Sequence, residues 1–367
     1  MDERYGPITE DDLPELAKIL GWSFNFPPTD AEPWMRRAGL ENVRKLERDG
    51  KIEATCVLIP HAQFFAGKSV PAMGIAGVAT PAESRGTGGA VAIMRAVLRE
   101  CAERGVATSN LYPASLTLYR RVGYEVSGMR WEIKAPLSIL PRDTGGPPIR
   151  EIGEDDRARV RAVYREHARH VNGFLDRGDY VWKRIFEPRG ERARAFLVGE
   201  DEGYVVYYEK HGGPSEYSLY ATDLQARTPD AARRLLGFLG NHGTLADSVT
   251  WHGNPSGALV QLLPALGCSI RMQHPWMTRI VDLPRAFAAR GWTANGSLDL
   301  EVKDELLPAN DGRFVLTVAD GRANVERGGR GAVQLDIRAL ASLFTSHVRA
   351  RDLALMGSLR ASDDDLA

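Results

Sequence analysis

The residues best suited to chemistry lie in one stretch: Gly77-Val78-Ala79-Thr80-Pro81-Ala82-Glu83-Ser84-Arg85-Gly86-Thr87-Gly88-Gly89-Ala90-Val91. The pattern predicts a strand that ends, a short glycine-rich turn, and a helix with Gly88, Gly89 and Ala90 near its start. Bare glycines let an anion approach the backbone, and first-turn amides point at it with no intrahelical partner. The helix dipole adds about 0.3–1 kcal/mol, and each charge-assisted N–H bond somewhat more. Arg85 adds a positive charge. Such a turn suits the binding of a pyrophosphate. It equally suits a flexible loop before a helix, so the turn alone decides little. Two other phosphate-binding arrangements fit less well. No lysine stands where a P-loop needs Gly-Lys-Ser/Thr, and a dinucleotide-binding turn follows the first strand of an alternating β-α-β chain, whereas this one follows several strands.

The elements that would carry this turn are organised as a weak internal repeat. Ile8-Thr9-Glu10-Asp11-Asp12 recurs as Ile152-Gly153-Glu154-Asp155-Asp156, each followed by helical apolar spacing: Leu13, Leu16, Ile19, Leu20 in the first and Val160, Val163, Tyr164 in the second. Acidic residues at these positions suit free helix-start amides and the positive end of the dipole. The first half then predicts strands at Ala54–Pro60, Lys68–Ala79 and Ala107–Leu111, a helix from Gly88 to Gly105, a helix around Leu116–Val122 and a strand at Glu125–Ile133. The second half predicts strands at Ala195–Gly199, Tyr204–Glu209 and Ser218–Asp223, a helix from Asp230 to Leu239, strand Ser248–Trp251, a helix near Gly257–Leu263 and a strand near Arg271–Ile280. The matching order points to duplication of one α/β unit. Pro141-Arg142-Asp143-Thr144-Gly145-Gly146-Pro147-Pro148 reads as the linker. After Leu283 the chain predicts a small α+β domain. Its strands lie at Leu298–Val302 and Arg313–Val318, an Asp320-Gly321 hairpin turn leads to Ala323–Glu326, Asp336 caps a helix through Phe344, and more helix follows to the end, with Asp363-Asp364-Asp365 as a solvated helix start.

Composition bounds the function. The 367 residues are 43% apolar and 26% charged with a formal net charge of −1, too balanced for a non-specific nucleic-acid footprint. No apolar run approaches the roughly 18–20 residues of a membrane span, and the acidic start Met1-Asp2-Glu3-Arg4 argues against a secretory signal. Cys56, Cys101 and Cys268 are far apart with no CxxC pair, which predicts reduced structural thiols in the cytoplasm. His167 and His170 share a helix face without a third nearby ligand, so no metal site is predicted.

Arg85-Gly86-Thr87-Gly88-Gly89-Ala90 resembles the R/Q-x-x-G-x-G/A motif of the GNAT acetyltransferases, and Leu118-Tyr119-Arg120-Arg121-Val122-Gly123-Tyr124 resembles their L-Y-x-x-x-G-F/Y run. The resemblance implies acetyl-CoA as co-substrate. Val78, Ala79 and Thr80 would run beside the pantetheine, and the Val78 N–H would face the thioester oxygen. Arg85, Gly86, Thr87, Gly88, Gly89, Ala90, Val91 and Ser115 would complete the cofactor site, and Tyr119 would lie near the CoA sulfur. Without the family, Tyr119 reads equally as core, and Tyr124 reads as core in either case. Trp22, Phe24, Phe26 and Trp34 fall where the family places its acceptor wall, although four aromatics also suit ordinary packing.

Two such units, a third α+β domain and Pro275-Trp276-Met277-Thr278-Arg279-Ile280-Val281-Asp282 are similar to the enhanced intracellular survival acetyltransferases. That family implies an active GNAT domain (1–140), a degenerate one (149–283) and a sterol-carrier-like domain (284–367). It also implies primary-amine acceptors, either aminoglycoside-like polyamines or lysine side chains, and a homo-oligomer, commonly a hexamer. Its base is the terminal carboxylate of an aromatic tail. This sequence ends Ser362-Asp363-Asp364-Asp365-Leu366-Ala367 without one, so the base is unassigned and truncation at Ala367 is one explanation. In the second unit Asp223-Leu224-Gln225-Ala226-Arg227-Thr228-Pro229-Asp230-Ala231 replaces the turn. It has no glycines, a proline without a donor and a negative charge where pyrophosphate would sit, which predicts a scaffold. The competing reading is a non-catalytic protein that binds an apolar ligand in its third domain, with a vestigial CoA site.

Overall fold

The structure is a computed structural model and describes residues 2–143, 145–188, 190–213, 216–263 and 267–365. Thr144 of the expected linker and Ala367 lie outside the described residues. The chain divides into two compact units. The first comprises Met1–Gly128, Val171–Tyr180 and Pro275–Ala367, and the second comprises Met129–His170 and Val181–His274.

The first repeat supplies β1 (Glu3–Pro7), α1 (Leu13–Phe24), α2 (Pro28–Ala38), β2 (Val43–Arg48), β3 (Lys51–Phe65), β4 (Lys68–Ala79), α3 (Gly89–Glu103), β5 (Thr108–Leu111), α4 (Leu116–Arg120) and β6 (Glu125–Pro136). The second supplies β7 (Ile149–Glu151), α5 (Arg157–Ala168), β8 (Leu175–Asp176), α6 (Asp179–Phe186), β9 (Arg194–Val198), β10 (Gly203–Gly213), β11 (Glu216–Ala226), α7 (Pro229–Gly240), β12 (Ala246–His252), α8 (Ala258–Gln261) and β13 (Ser269–Ile280). Both repeats begin with the same device. The Asp12 carboxylate accepts the Thr9 N–H at 2.7 Å, and Asp156 accepts the Gly153 N–H at 3.0 Å, each just before the first helix. The duplication read from five residues is thus a duplicated hydrogen bond.

In the first unit the strand order is β1-β2-β3-β4-β5-β13, antiparallel except for the parallel pair β4/β5. In the second the order is β7-β9-β10-β11-β12-β6, again with one parallel pair, β11/β12. The last strand of each repeat therefore serves the other repeat's unit: Met277–Ile280 of β13 pairs with β5, and Glu132–Pro136 of β6 pairs with β12. Sequence pattern specifies a strand but not its partner, so this exchange was not visible in it. β1 and β2 were also unread, because their charges mask the alternation. Arg44 of β2 is buried, and its guanidinium meets Glu100 of α3 at 2.6 Å.

The apolar stripe of α3, with Ile93, Met94, Val97, Leu98 and Cys101, packs on Cys56, Leu58, Met73, Ile75 and Leu111 of one sheet face. Leu13, Leu16 and Leu20 of α1 join Ala31, Trp34 and Met35 of α2 on Val57 of the other. Burying each such side chain contributes about 1.5–3 kcal/mol.

The C-terminal segment forms α9 (Leu283–Ala289), β14 (Gly296–Lys303), β15 (Gly312–Ala319), β16 (Arg322–Arg327), β17 (Val333–Asp336), α10 (Ile337–Phe344), α11 (Ala350–Leu355) and β18 (Leu359–Arg360), with strand order β16-β15-β14-β17-β18. Asp320 and Gly321 both take positive φ, 51° and 74°, as a tight hairpin needs. The Asp336 carboxylate caps α10, accepting the Ala339 N–H at 2.8 Å. Two expectations are corrected. Helix does not run to the end, since β18 intervenes, and Asp363–Asp365 form an exposed turn in which Ser362 Oγ accepts the Asp365 N–H at 3.3 Å.

Candidate functional site

β4 and β5 pair in register from Ala72↔Thr108 to Ile75↔Leu111, and there the pairing stops. β4 continues through Ala76, Gly77, Val78 and Ala79 with β3 along one side and no partner strand on the other among the described residues. A register shift in β3/β4 at Thr55/Val57 lets Ala76 and Gly77 turn toward the same face, where Gly77 lies against Trp34. The result is a fork whose open arm carries the backbone of Val78, Ala79 and Thr80.

Beyond that arm the chain makes a short turn at Ala82–Ser84 and enters the glycine loop. Gly86 and Gly88 take φ of +88° and +95°, values that a side chain disfavours. Thr87 pins the loop by donating its hydroxyl to the Ser84 carbonyl at 2.8 Å. Gly88 is the N-cap of α3 and provides no side-chain cap. The amides of Gly89, Ala90 and Val91, in the first turn, have no intrahelical acceptor. Arg85 is exposed beside them. The equivalent helix of the second repeat is closed instead: Thr228 Oγ1 caps α7 by accepting the Ala231 N–H at 3.1 Å, and Pro229 has no N–H to offer. One helix start thus has no side-chain cap, whereas the other satisfies itself.

α4 follows β5 at the fork. Ser115 is its N-cap and accepts the Leu118 N–H at 3.4 Å. Tyr119 is buried, packed edge-on to Tyr124 with ring centroids 6.1 Å apart. The two phenols differ in what they hold. Tyr124 Oη shares a 2.7 Å hydrogen bond with Ser109 Oγ, which donates to the Met73 carbonyl at 2.9 Å. The Tyr119 hydroxyl has no hydrogen-bond partner among the described residues, yet it is not among the fully enclosed atoms that lack one. Burial, with a smaller contribution from the nearby Cys56 thiol, pushes its pKa up to about 12, so the phenol keeps its proton.

On the α1/α2 side the sequence-selected aromatics separate. Trp34 is buried, and its Nε1 donates to Tyr180 Oη at 2.6 Å. Phe24 and Phe26 lie nearly parallel with centroids 6.4 Å apart, and Ser23 Oγ reaches the Thr80 carbonyl at 3.5 Å, placing the end of α1 beside the open arm of β4. Trp22 is 61% exposed under the Lys18 ammonium, 4.5 Å from its ring centre.

Sequence reasoning missed a polar cluster on this face. His61 and Gln63 of β3, Asn110 of β5 and Thr278 of β13 are linked by side-chain contacts: Asn110 Nδ2 donates to Gln63 Oε1 at 2.8 Å, and Thr278 Oγ1 to Asn110 Oδ1 at 3.1 Å. The available signal was polar residues in a strand, Thr108-Ser109-Asn110-Leu111, that is buried throughout.

No group of three side chains suited to a metal ion occurs among the described residues. His170 is exposed beside Glu166, and His167 is half-buried. The C-terminal segment holds a cavity of about 500 Å³, lined by charged side chains such as Glu301, Asp336 and Arg338 together with the apolar Val302, Leu335 and Leu359.

Residues 4–127 and 173–280 each match an acetyltransferase (GNAT) domain family, and residues 283–367 match a sterol carrier protein domain family. A curated protein of Streptomyces avermitilis named as an uncharacterized N-acetyltransferase is 28% identical, covering 98% of this chain and 93% of its own length. The crystal structure of a GCN5-related N-acetyltransferase from Anabaena variabilis is 32% identical with a TM-score of 0.95, covering 100% of this chain and 95% of that one. Eis1 from Mycobacterium abscessus shares the fold at 20% identity with a TM-score of 0.79, covering 100% of this chain and 95% of its own. With tandem GNAT domains followed by a sterol-carrier-like domain, the chain belongs to the GCN5-related N-acetyltransferases, and it is an acyltransferase enzyme.

Proposed function

We propose that the protein transfers the acetyl group of acetyl-CoA to a primary amine by direct attack, at the one site built on the first repeat. The observation that carries this reading is the pairing of an open β4 arm with an uncapped α3 start. Pantetheine would lie along Val78, Ala79 and Thr80, and the diphosphate would be received by the amides of Gly86 to Val91 with Arg85 beside them. Ser115, exposed at the head of α4, completes the cofactor side. Phe24, Phe26 and Trp34 would wall the acceptor side, with Trp22 at its outer edge.

A free alkyl amine with a pKa near 10 is about 0.1% neutral at pH 7, so deprotonation without help costs about 4 kcal/mol. The nitrogen lone pair attacks the thioester carbon, and the Val78 N–H holds the developing oxyanion. When the C–S bond breaks, the thiolate leaves with the electron pair and accepts a hydrogen bond from Tyr119. A phenol near 12 facing a thiol near 8.5 makes complete transfer uphill by about 5 kcal/mol, so Tyr119 stabilises the thiolate while the proton on sulfur comes from the new amide nitrogen.

The second repeat serves as a scaffold in this reading, and the division at 1–140, 149–283 and 284–367 is part of it. Three cysteines without a disulfide, two of them buried, suit the reducing cytoplasm. A hexamer, readable by sedimentation, is the assembly proposed. No described helix is long and apolar enough to cross a membrane. Calorimetric titration with acetyl-CoA tests the reading. Binding in the micromolar range that Arg85→Glu weakens is expected, and no binding below the millimolar range would remove it. Thiol release with an aminoglycoside and with a lysine-bearing peptide separates the two acceptor classes.

A further inference from the structure

The fork holds an acid-side group in Tyr119, but the reaction also needs somewhere for the amine's proton to go. The polar cluster on the opposite face offers one. His61 projects from β3 across β4, and its ring lies over Gly74, where a Cβ would come 2.9 Å from His61 Cε1. Gly74 pairs with Asn110, one step before the closing pair Ile75↔Leu111, so the imidazole sits one residue inside the fork.

Its hydrogen bonds assign the tautomer. Nδ1 lies 2.9 Å from the Ile59 carbonyl, which can only accept, so Nδ1 carries the hydrogen. Nε2 then presents its lone pair toward the Asn110 amide nitrogen at 3.4 Å, a long contact that holds it weakly. The Asn110 amide is oriented by its neighbours. Its oxygen accepts from Thr278 Oγ1, its nitrogen donates to Gln63 Oε1, and Gln63 in turn donates to the Gly173 carbonyl at 3.0 Å. No step in this chain can be reversed without placing two donors or two acceptors face to face. Thr278 belongs to the Pro275–Asp282 stretch singled out in the sequence, and its neighbour Arg279 anchors the other side of the fork through the Val122 carbonyl at 2.9 Å. One strand thus fixes both the cluster and the Tyr119 turn.

We propose that His61 Nε2 is the proton acceptor for the incoming amine, acting through one water that replaces the long Asn110 contact on that nitrogen, with Asn110, Gln63 and Thr278 as positioning residues. This rests on the acetyl-transfer reading above. The alkylammonium gives a proton through the water to Nε2, and the freed lone pair forms the C–N bond. The thioester π pair moves to oxygen, and its return expels the CoA thiolate. The proton left on nitrogen passes to sulfur, and the imidazolium releases its proton to solvent, so one proton leaves per turnover. Burial lowers the His61 pKa, opposed in part by the Ile59 carbonyl, and no charged side chain contributes. The ring is therefore neutral at pH 7, with Nε2 unprotonated. On the packed strands, β4 places Gly74 and β5 places Asn110 against it, Thr278 of β13 reaches it through Asn110, and the carboxylate of β8, Asp176, accepts from Ser69 Oγ at 2.8 Å.

The test compares His61→Gln with the wild-type full chain, using acetyl-CoA with an aminoglycoside and with a lysine-bearing peptide from pH 6 to 10. Glutamine keeps a donor for the Ile59 carbonyl but cannot take up a proton. Expected are unchanged acetyl-CoA affinity by calorimetry and turnover about 100-fold lower at pH 7. The deficit should shrink about tenfold per pH unit as the amine deprotonates by itself near pH 10. A structural role alone would not produce that convergence. Turnover within threefold of wild type at pH 7, or a deficit constant across the range, overturns the assignment. Wild-type protein that fails to bind acetyl-CoA would instead remove the acetyl-transfer reading. Nitrogen NMR of histidine-labelled protein decides without any acceptor: a neutral Nδ1–H ring at pH 7 is expected, and a proton on Nε2 overturns the proposal.

Discussion

Two tyrosines five residues apart should respond in opposite ways to loss of the same atom. Tyr119→Phe removes a hydroxyl that has no hydrogen-bond partner among the described residues and leaves the edge-on contact with Tyr124 intact. Its folding stability should stay within about 0.5 kcal/mol of wild type. The departing thiolate, however, loses one hydrogen bond to a charged group, worth about 1.5–3 kcal/mol, so turnover at saturating acetyl-CoA should fall about 10- to 150-fold. Tyr124→Phe deletes the buried bond to Ser109, while Ser109 keeps its own bond to the Met73 carbonyl. That variant should lose about 1 kcal/mol of stability and retain turnover. The assays are thiol release, acetyl-CoA calorimetry and urea unfolding on the same preparations. Because the Tyr119 phenol titrates near 12, its donor persists, and no alkaline fall from this group is expected below about pH 11. Unchanged turnover in Tyr119→Phe, or a catalytic loss in Tyr124→Phe without a stability loss, would refute the division of roles.

Three further outcomes follow from the same geometry. Gly88→Ala adds a Cβ that meets nothing within 4 Å but forces an alanine to φ near +95°, a strain of about 1–2 kcal/mol; acetyl-CoA affinity should drop about 5- to 30-fold by calorimetry as the cap rotates. Burial alone would raise the Glu100 pKa, but Arg44, Tyr5 and Arg104 outweigh it and hold it at about 2. Its stabilisation is complete above its unfolded value near 4.5 and lost as pH falls through about 2, and Glu100→Gln should flatten that limb of the acid-unfolding curve. Arg279→Met leaves Asp304 buried without its guanidinium, at present 2.7 Å away, and should cost about 3–5 kcal/mol in urea unfolding.

Legibility from sequence followed how local the cause was. The α3 turn was readable because its glycines and Arg85 act within a few residues, and the repeat was readable because Asp12 and Asp156 each close a three-residue bond. β2 escaped because Arg44 sits in a core position where its charge is balanced by Glu100, 56 residues away. The exchange of β6 and β13 escaped because alternation fixes which face is buried and not which strand lies alongside. At the site, Tyr119 and Tyr124 were told apart in the sequence only by the family resemblance, and in the structure Tyr124 alone bonds the Ser109 hydroxyl. His61 was invisible for the same reason: its significance depends on the empty space at Gly74 and on Asn110, both on other strands.

The most direct test of the account is a crystal structure with CoA bound. It should show diphosphate oxygens about 2.7–3.1 Å from the amides between Gly86 and Val91, with the pantetheine along the arm of β4 beyond Ile75. A ligand seated elsewhere, with this helix start bare, would contradict it.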